Sequence, residues 1–368
     1  MDPWYLSHLV CPRDHQDLRE AGGRLVCASG HKYPVVDGVP VMLLDDVAQT
    51  MPIADASLAR ARAATFANLA NLVNGVTSAA DPASPDLYLE TLGITDEERT
   101  RLNALAASGR NPIDPVVAFM VGATSGYMYR HVIGTLASYP IPELRLPPGH
   151  GKSLLDIGCN WGRWSIAAAR KGYDVVGIDP SLGGVMAARR VSRSLGLSCR
   201  FIVGDARYLP FRAGSFDDVF SYSVLQHLSR EDVGLVVKGI GRTLATGGTS
   251  FVQMPTIFGV RCLYHQARRR FAEGRGFDVR YWTIPALERL FGREVGPPTI
   301  SVDCYFGIGL QRSDFALMTP ALKVVLASSE AVRGVSRFVP FLKYVADSVY
   351  VTAVKAPAAR AGASGGGD

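Results

Sequence analysis

Ser153 to Ser181 reads SLLDIGCNWGRWSIAAARKGYDVVGIDPS. Its apolar run Leu154 to Ile157 predicts a strand, Gly158 to Gly162 a tight turn, and Trp164 to Lys171 a helix. Asp174 to Ile178 then predicts a second strand that closes on Asp179. A strand, glycine turn, helix and strand ending in an acid form the first half of a doubly wound, nucleotide-binding sheet. Glycine at 158 and 162 lets backbone approach a ligand where a Cβ would collide, and the amides at the helix start can meet an anion. An acid after the second strand is placed to accept hydrogen bonds from two ribose hydroxyls.

The turn narrows the ligand. A dinucleotide site would call for glycine where this chain has Asn160, and gives no role to an acid at Asp156. Asp156-x-Gly158-x-Asn160-x-Gly162 resembles the first motif of class I S-adenosylmethionine-dependent methyltransferases, an acid followed by alternating glycines. Asparagine replaces the middle glycine, a mild departure because asparagine tolerates positive φ. Downstream, Cys199 to Val203 predicts a third strand that ends in Gly204-Asp205-Ala206. Leu209-Pro210-Phe211 and Gly214-Ser215-Phe216-Asp217 then lead into a fourth strand, Asp218 to Ser223.

The resemblance implies a seven-stranded, Rossmann-like α/β sheet. It also implies cofactor contacts from Asp156, Gly158, Asn160, Gly162, Asp179, Asp205, Ala206 and Ser223, with Asp205 and the Ala206 amide beside the adenine. The reaction it implies converts S-adenosylmethionine to S-adenosylhomocysteine. Gln226 and His227 follow the fourth strand in a run expected to open a helix, on the side where the methyl group would lie. His227 is a candidate general base, and equally a histidine packed under the cofactor.

Residues 1–45 read as a small β-rich module. Cys11 and Asp14 lie three apart, Cys27 and His31 four apart, with a Gly22-Gly23 turn between the pairs. That is the spacing of a zinc ribbon, and the stretch resembles ribbon modules fused to or partnered with certain methyltransferases. Asp14 stands where the pattern has its second cysteine. A Cys11, Asp14, Cys27, His31 set is therefore a candidate for structural zinc, and a degenerate ribbon held by apolar packing is the alternative.

Residues 46–150 predict helices at Leu58 to Val73, Asp96 to Ala107 and Pro115 to Ala137, with Thr95 or Asp96 as a cap. In the resembled family such a prelude forms a lid, and Tyr127, Tyr129 and Arg130 are the candidate substrate contacts. The methyltransferase domain spans 151–356, with insertions at 255–282 and 307–344. Further helices are expected at Leu182 to Leu195, Val233 to Leu244, Ile284 to Phe291 and Thr319 to Val332. Strands are expected at Thr249 to Met254, within Thr299 to Tyr305, and at Ser348 to Val354. An Ala/Gly-rich tail, 357–368, is expected to be disordered.

The chain has 368 residues, 48% hydrophobic and 20% charged, enough apolar mass for a large core. Six scattered cysteines and an N-terminus without a basic start or cleavage site predict a cytoplasmic, reduced protein. No apolar run reaches the roughly 18 residues of a membrane span. The formal charge of +6 permits an anionic partner without requiring one.

A small or medium-sized acceptor, such as a natural-product or glycan intermediate, suits an enclosed pocket. Two other readings fit the same residues. One is an rRNA or tRNA methyltransferase using the ribbon and the run Arg268-Arg269-Arg270 to bind RNA. The other is a non-catalytic scaffold whose ribbon docks a second protein. Gln253-Met254-Pro255-Thr256 does not match the quartet of amino-group nucleic-acid methyltransferases. Nothing in the sequence speaks to oligomeric state.

Overall fold

The computed structural model describes residues 1–73, 86–109, 112–124, 127–307, 309 and 311–357; for 65–73, 123, 124, 127 and 128 it describes the backbone alone. The expected tail from 358 onward lies outside the described residues.

The N-terminal part holds helix α1 (Pro3–His8) and strands β1 (Leu18–Ala21), β2 (Arg24–Cys27), β3 (Lys32–Val36) and β4 (Val39–Pro40). These four strands form an antiparallel sheet in sequence order. The helical stretch holds α2 (Pro52–Val73), α3 (Asp96–Ser108) and α4 (Pro115–Thr124). Thr95 caps α3 through a reciprocal pair of bonds with Glu98, which satisfies two helix-end donors. The single helix expected over Pro115 to Ala137 is not formed. Among the described residues α4 covers Pro115–Thr124, and Tyr127–Val132 forms a 3₁₀ turn in place of the expected continuation.

The larger sheet is built from β5 (Ser153–Ile157), β6 (Asp174–Asp179), β7 (Cys199–Val203), β8 (Phe216–Ser221), β9 (Leu244–Pro255), β10 (Pro298–Cys304) and β11 (Ser348–Val354). Its order is β10-β11-β9-β8-β5-β6-β7. Within this sheet β5 to β9 run parallel, while β11 is antiparallel to both neighbours. Strand order reverses between β5 and β8, so the crevice at their carboxyl ends is the position where such sheets take ligands. Helices α5 (Arg163–Arg170), α6 (Leu182–Ser194), α7 (Arg230–Thr243), α8 (Val260–Arg268), α9 (Ile284–Glu294) and α10 (Pro320–Ser336) complete the chain.

Two local expectations are corrected here. The fourth strand ends at Ser221, and Leu225–His227 forms a separate 3₁₀ turn. Helix α7 begins only at Arg230, where the Ser229 hydroxyl accepts from the Asp232 amide. The N-terminal module is joined to the sheet through its core: Tyr5, Leu9, Leu25 and Met42 pack in one buried cluster with Ile178, Ile202 and Phe211.

Candidate functional site

The turn after β5 takes the conformation its residues allow. Gly158, Asn160 and Gly162 all have positive φ, at 77°, 44° and 82°. Asn160 steadies the turn by accepting from the Trp161 amide at 2.8 Å. The two glycines are also demanded by packing. A Cβ on Gly158 would lie 2.2 Å from Val224, and one on Gly162 would lie 2.9 Å from Ala188. Their role in this structure is close contact within the fold as well as a sharp turn.

Asp156, the β5 acid, is 1% exposed and accepts from the Ser165 hydroxyl at 2.6 Å. Burial pushes its pKa up to about 7, and neighbouring Asp179 adds to the rise. Asp179, at the end of β6, accepts from the Asn160 amide at 3.0 Å and the Ser181 amide at 2.9 Å. Burial lifts it to about 6, with those two amides opposing. Among the described residues neither carboxylate makes an ion pair. Two adjacent buried acids without a counter-charge are costly alone and suited to a cationic ligand that brings hydroxyl donors.

The third acid is differently placed. Asp205 accepts from the backbone and guanidinium of Arg207, the closest ion-pair contact being 2.7 Å. Arg207 reaches on to Asp232 at 3.2 Å and to the Ala48 carbonyl at 2.8 Å. Ala206 opens the short turn Ala206–Tyr208 beside it. The helical stretch closes over the start of α6. Ser57 accepts from the Leu182 amide at 2.9 Å, and Thr91 accepts from the Gly183 amide at 2.7 Å.

Beyond β8, Ser223 has φ of 61° and donates its amide to Gln253 at 2.9 Å. Gln226 is 3% exposed; its amide nitrogen donates to the Ser223 hydroxyl at 2.8 Å and meets His227 Nε2 at 3.2 Å. The Gln226 Oε1 atom is buried with no partner among the described residues. His227 Nδ1 lies 2.8 Å from the Phe277 carbonyl, which assigns the proton to Nδ1 and leaves Nε2 as acceptor. Its ring stacks on Phe277 at 3.8 Å. Burial lowers its pKa to about 4, so it is neutral across the working range. This is the geometry of a packed histidine.

The substrate candidates separate. Tyr129 is fully buried, and its hydroxyl donates to Asp314; Arg130 is exposed; the Tyr127 side chain lies outside what is described. Tyr129 therefore does not line an open pocket. It belongs to a cluster in which Arg163, the first residue of α5, pairs with Asp314 and donates to the Pro140 carbonyl at 2.8 Å. A cleft of about 470 Å³ lined by Arg145, Gln311, Arg333 and Tyr350 includes none of the predicted site residues. Sequence reading missed Ser165, Gln253, Arg163 and Arg207. Ser165 had a signal, a hydroxyl one turn into a helix that follows an acid-ended strand.

In the N-terminal module Cys11, Asp14, Cys27 and His31 do converge, with ligand atoms all within 4.8 Å of one another. His31 Nδ1 lies 3.4 Å from Cys11 Sγ, 3.3 Å from Cys27 Sγ and 3.4 Å from Asp14 Oδ2. Cys27 Sγ to Asp14 Oδ2 is 3.9 Å. Bonds of about 2.0–2.3 Å to a tetrahedral ion give edges of roughly 3.3–3.8 Å; the three edges that end on His31 fall in that range and the Asp14–Cys27 edge lies just above it, and two thiols, an imidazole and a carboxylate are donors of the kind zinc takes.

Residues 154–248 match the family model described as a methyltransferase domain. The ubiquinone biosynthesis O-methyltransferase of Azorhizobium caulinodans is 34% identical over 107 residues, 29% of this chain and 42% of that protein. Its counterpart in Caulobacter vibrioides is 34% identical over 106 residues, 28% and 41% of the two chains. The chain thus spans about two-fifths of the length of these curated relatives. Among solved structures, an S-adenosylmethionine-dependent methyltransferase of Methanosarcina mazei aligns at 20% identity and a TM-score of 0.40, covering 57% of this chain and 94% of that one.

Proposed function

We propose that this chain, whose residues 154–248 form a class I methyltransferase domain, methylates a small-molecule acceptor with S-adenosylmethionine as donor. The observation that carries the reading is the pair of uncompensated buried carboxylates, Asp156 and Asp179, at the carboxyl ends of adjacent parallel strands. Asp179 would hold the ribose hydroxyls: each of its oxygens takes one amide and keeps acceptor capacity. Asp156 steadies the turn through Ser165 and contributes negative potential. When bound, the donor supplies a methyl group already activated by positive sulfur, so transfer needs alignment and a dry site more than a strong base. Gln226 Oε1, a buried acceptor lacking a partner among the described residues, suits a hydroxyl hydrogen of the methyl acceptor. His227 serves by packing. Oxygen is the favoured methylated atom, because the curated relatives are named O-methyltransferases.

Calorimetry of S-adenosylmethionine binding to the wild type and to Asp179→Ala tests this. Losing two charge-assisted bonds should weaken binding by at least about a hundredfold. A wild type that binds no donor would count against the whole reading. Transfer of labelled methyl to a panel of phenolic acceptors, lowered in efficiency by Gln226→Leu with donor affinity kept, tests the acceptor side.

We also propose that Cys11, Asp14, Cys27 and His31 hold a structural zinc ion. The support is the convergence of four donor atoms within 4.8 Å of one another and their mix of thiol, imidazole and carboxylate donors.

A further inference from the structure

The first inserted segment meets the stretch that follows the second, at the ligand end of the sheet. The Arg261 and Cys262 amides at the start of α8 donate to Asp347 Oδ1 at 2.8 and 3.0 Å, and Thr256 donates its amide to the Asp347 carbonyl at 3.0 Å. A Cβ on Gly259 would lie 2.4 Å from the Asp347 Cα, so the backbones are in contact there. Asp347 lies two residues beyond the short 3₁₀ turn Pro340–Val345, and β9 and β11 meet alongside.

Large apolar side chains stand out from both segments. Phe338 is 87% exposed, Phe341 69%, Tyr264 58% and Phe258 54%. Basic groups are mixed among them: Arg268 lies 5.8 Å over the Tyr264 ring and Lys343 lies 5.2 Å over the Tyr344 ring. Residues 256–272 contain four arginines and no acid, and 334–345 contain Arg337 and Lys343 and no acid. The two segments come together at Gly259 and Asp347, and exposed aromatics interleaved with basic groups in both are the composition of an interaction surface.

We propose that these segments dock on an anionic lipid bilayer, with Phe338, Phe341, Phe258 and Tyr264 entering the interface and Arg261, Arg268, Arg270, Arg337 and Lys343 meeting lipid phosphates, while Arg269 is held by Asp278. Aromatic rings favour the headgroup boundary, and each nearby Lys or Arg adds attraction to an anionic leaflet. Among the described residues no helix is long and apolar enough to cross a membrane, so the contact is with its surface. A second copy of the chain is a poorer occupant: a twofold interface would set the patch against itself and bring like charges face to face. Docking would present the ligand end of the sheet to the bilayer, where an amphiphilic acceptor resides. The docking itself does not depend on methyl transfer.

Sedimentation of the full chain with vesicles tests it. Binding is expected to phosphatidylcholine vesicles carrying phosphatidylglycerol, not to phosphatidylcholine alone, and it should weaken at high salt. Phe338→Ser with Phe341→Ser should weaken it about tenfold or more. Arg337→Gln with Lys343→Gln should weaken it about thirtyfold at low salt. Circular dichroism of each variant confirms folding independently of activity. The proposal is overturned if the wild type ignores anionic vesicles or binds both compositions equally. It is also overturned if light scattering shows the Phe338/Phe341 pair converting a dimer to a monomer while vesicle binding stays unchanged.

Discussion

Asp179 keeps its carboxyl in the interior with two amides and no cation, and its pKa near 6 makes donor binding a titration. Ribose hydroxyls and a sulfonium both favour the ionised form, so binding draws the pKa down and releases a proton at pH below about 6. Affinity for S-adenosylmethionine should be full above about pH 7 and fall as pH drops through 6, by about tenfold per unit below it. Calorimetry at three pH values measures this, and an unchanged Kd at pH 5 would contradict it. The same raised pKa has the opposite effect on the free protein. The unfolded chain gives up this proton near 3.8, so the ligand-free fold loses stability as pH rises from about 4 to about 6. For His227, neutral and bonded at both ring nitrogens, His227→Asn should cost less than about tenfold in kcat and leave the acid limb of the pH–rate profile in place. Removing a true general base would cost about 10²–10⁴ and alter that limb.

At the scale of elements, the strands around the glycine turn were legible because each is a short apolar run punctuated by glycine or aspartate, and β7 and β11 match their expected bounds. The 3₁₀ turn at Leu225–His227 was not, although Ser229 with Asp232 three residues on marks where α7 starts. What no local pattern shows is Arg163 meeting Asp314, partners 151 residues apart. Their pairing fastens the second insertion and the Tyr129 turn to the first residue of α5, directly after the glycine turn. Asp314→Ala would remove the counter-charge of a buried guanidinium and should cost about 3–5 kcal/mol in urea unfolding. Tyr129→Phe, which keeps the ring 5.3 Å from the guanidinium and loses one hydroxyl, should cost about 1 kcal/mol. Replacing both charges, Arg163→Met with Asp314→Leu, should recover most of the loss, because a buried pair costs little to exchange for apolar packing.

At the scale of the whole molecule, the N-terminal module occupies the side of the sheet that β7 would otherwise leave open. The Tyr5 hydroxyl donates to the Phe201 carbonyl at 3.0 Å, Val10 donates its amide to Pro210 at 2.9 Å, and Met42 donates its amide to Val203 at 2.7 Å. Val41 pairs with Val203 as a one-residue parallel extension beyond β7, covering an edge that would invite association. Val203 lies two residues before Asp205, and the chain leaving the module supplies the Ala48 carbonyl that holds Arg207, the residue clasping Asp205. Zinc held by Cys11, Asp14, Cys27 and His31 would therefore stabilise the domain that carries the donor site, and the module has no separate core in which its unfolding could be contained. Elemental analysis should find one zinc per chain, lost in Cys27→Ser. Adding a chelator should lower the midpoint of one thermal transition, and donor binding should disappear with it. A separate low-temperature transition, with the donor still bound above it, would show that the module melts alone.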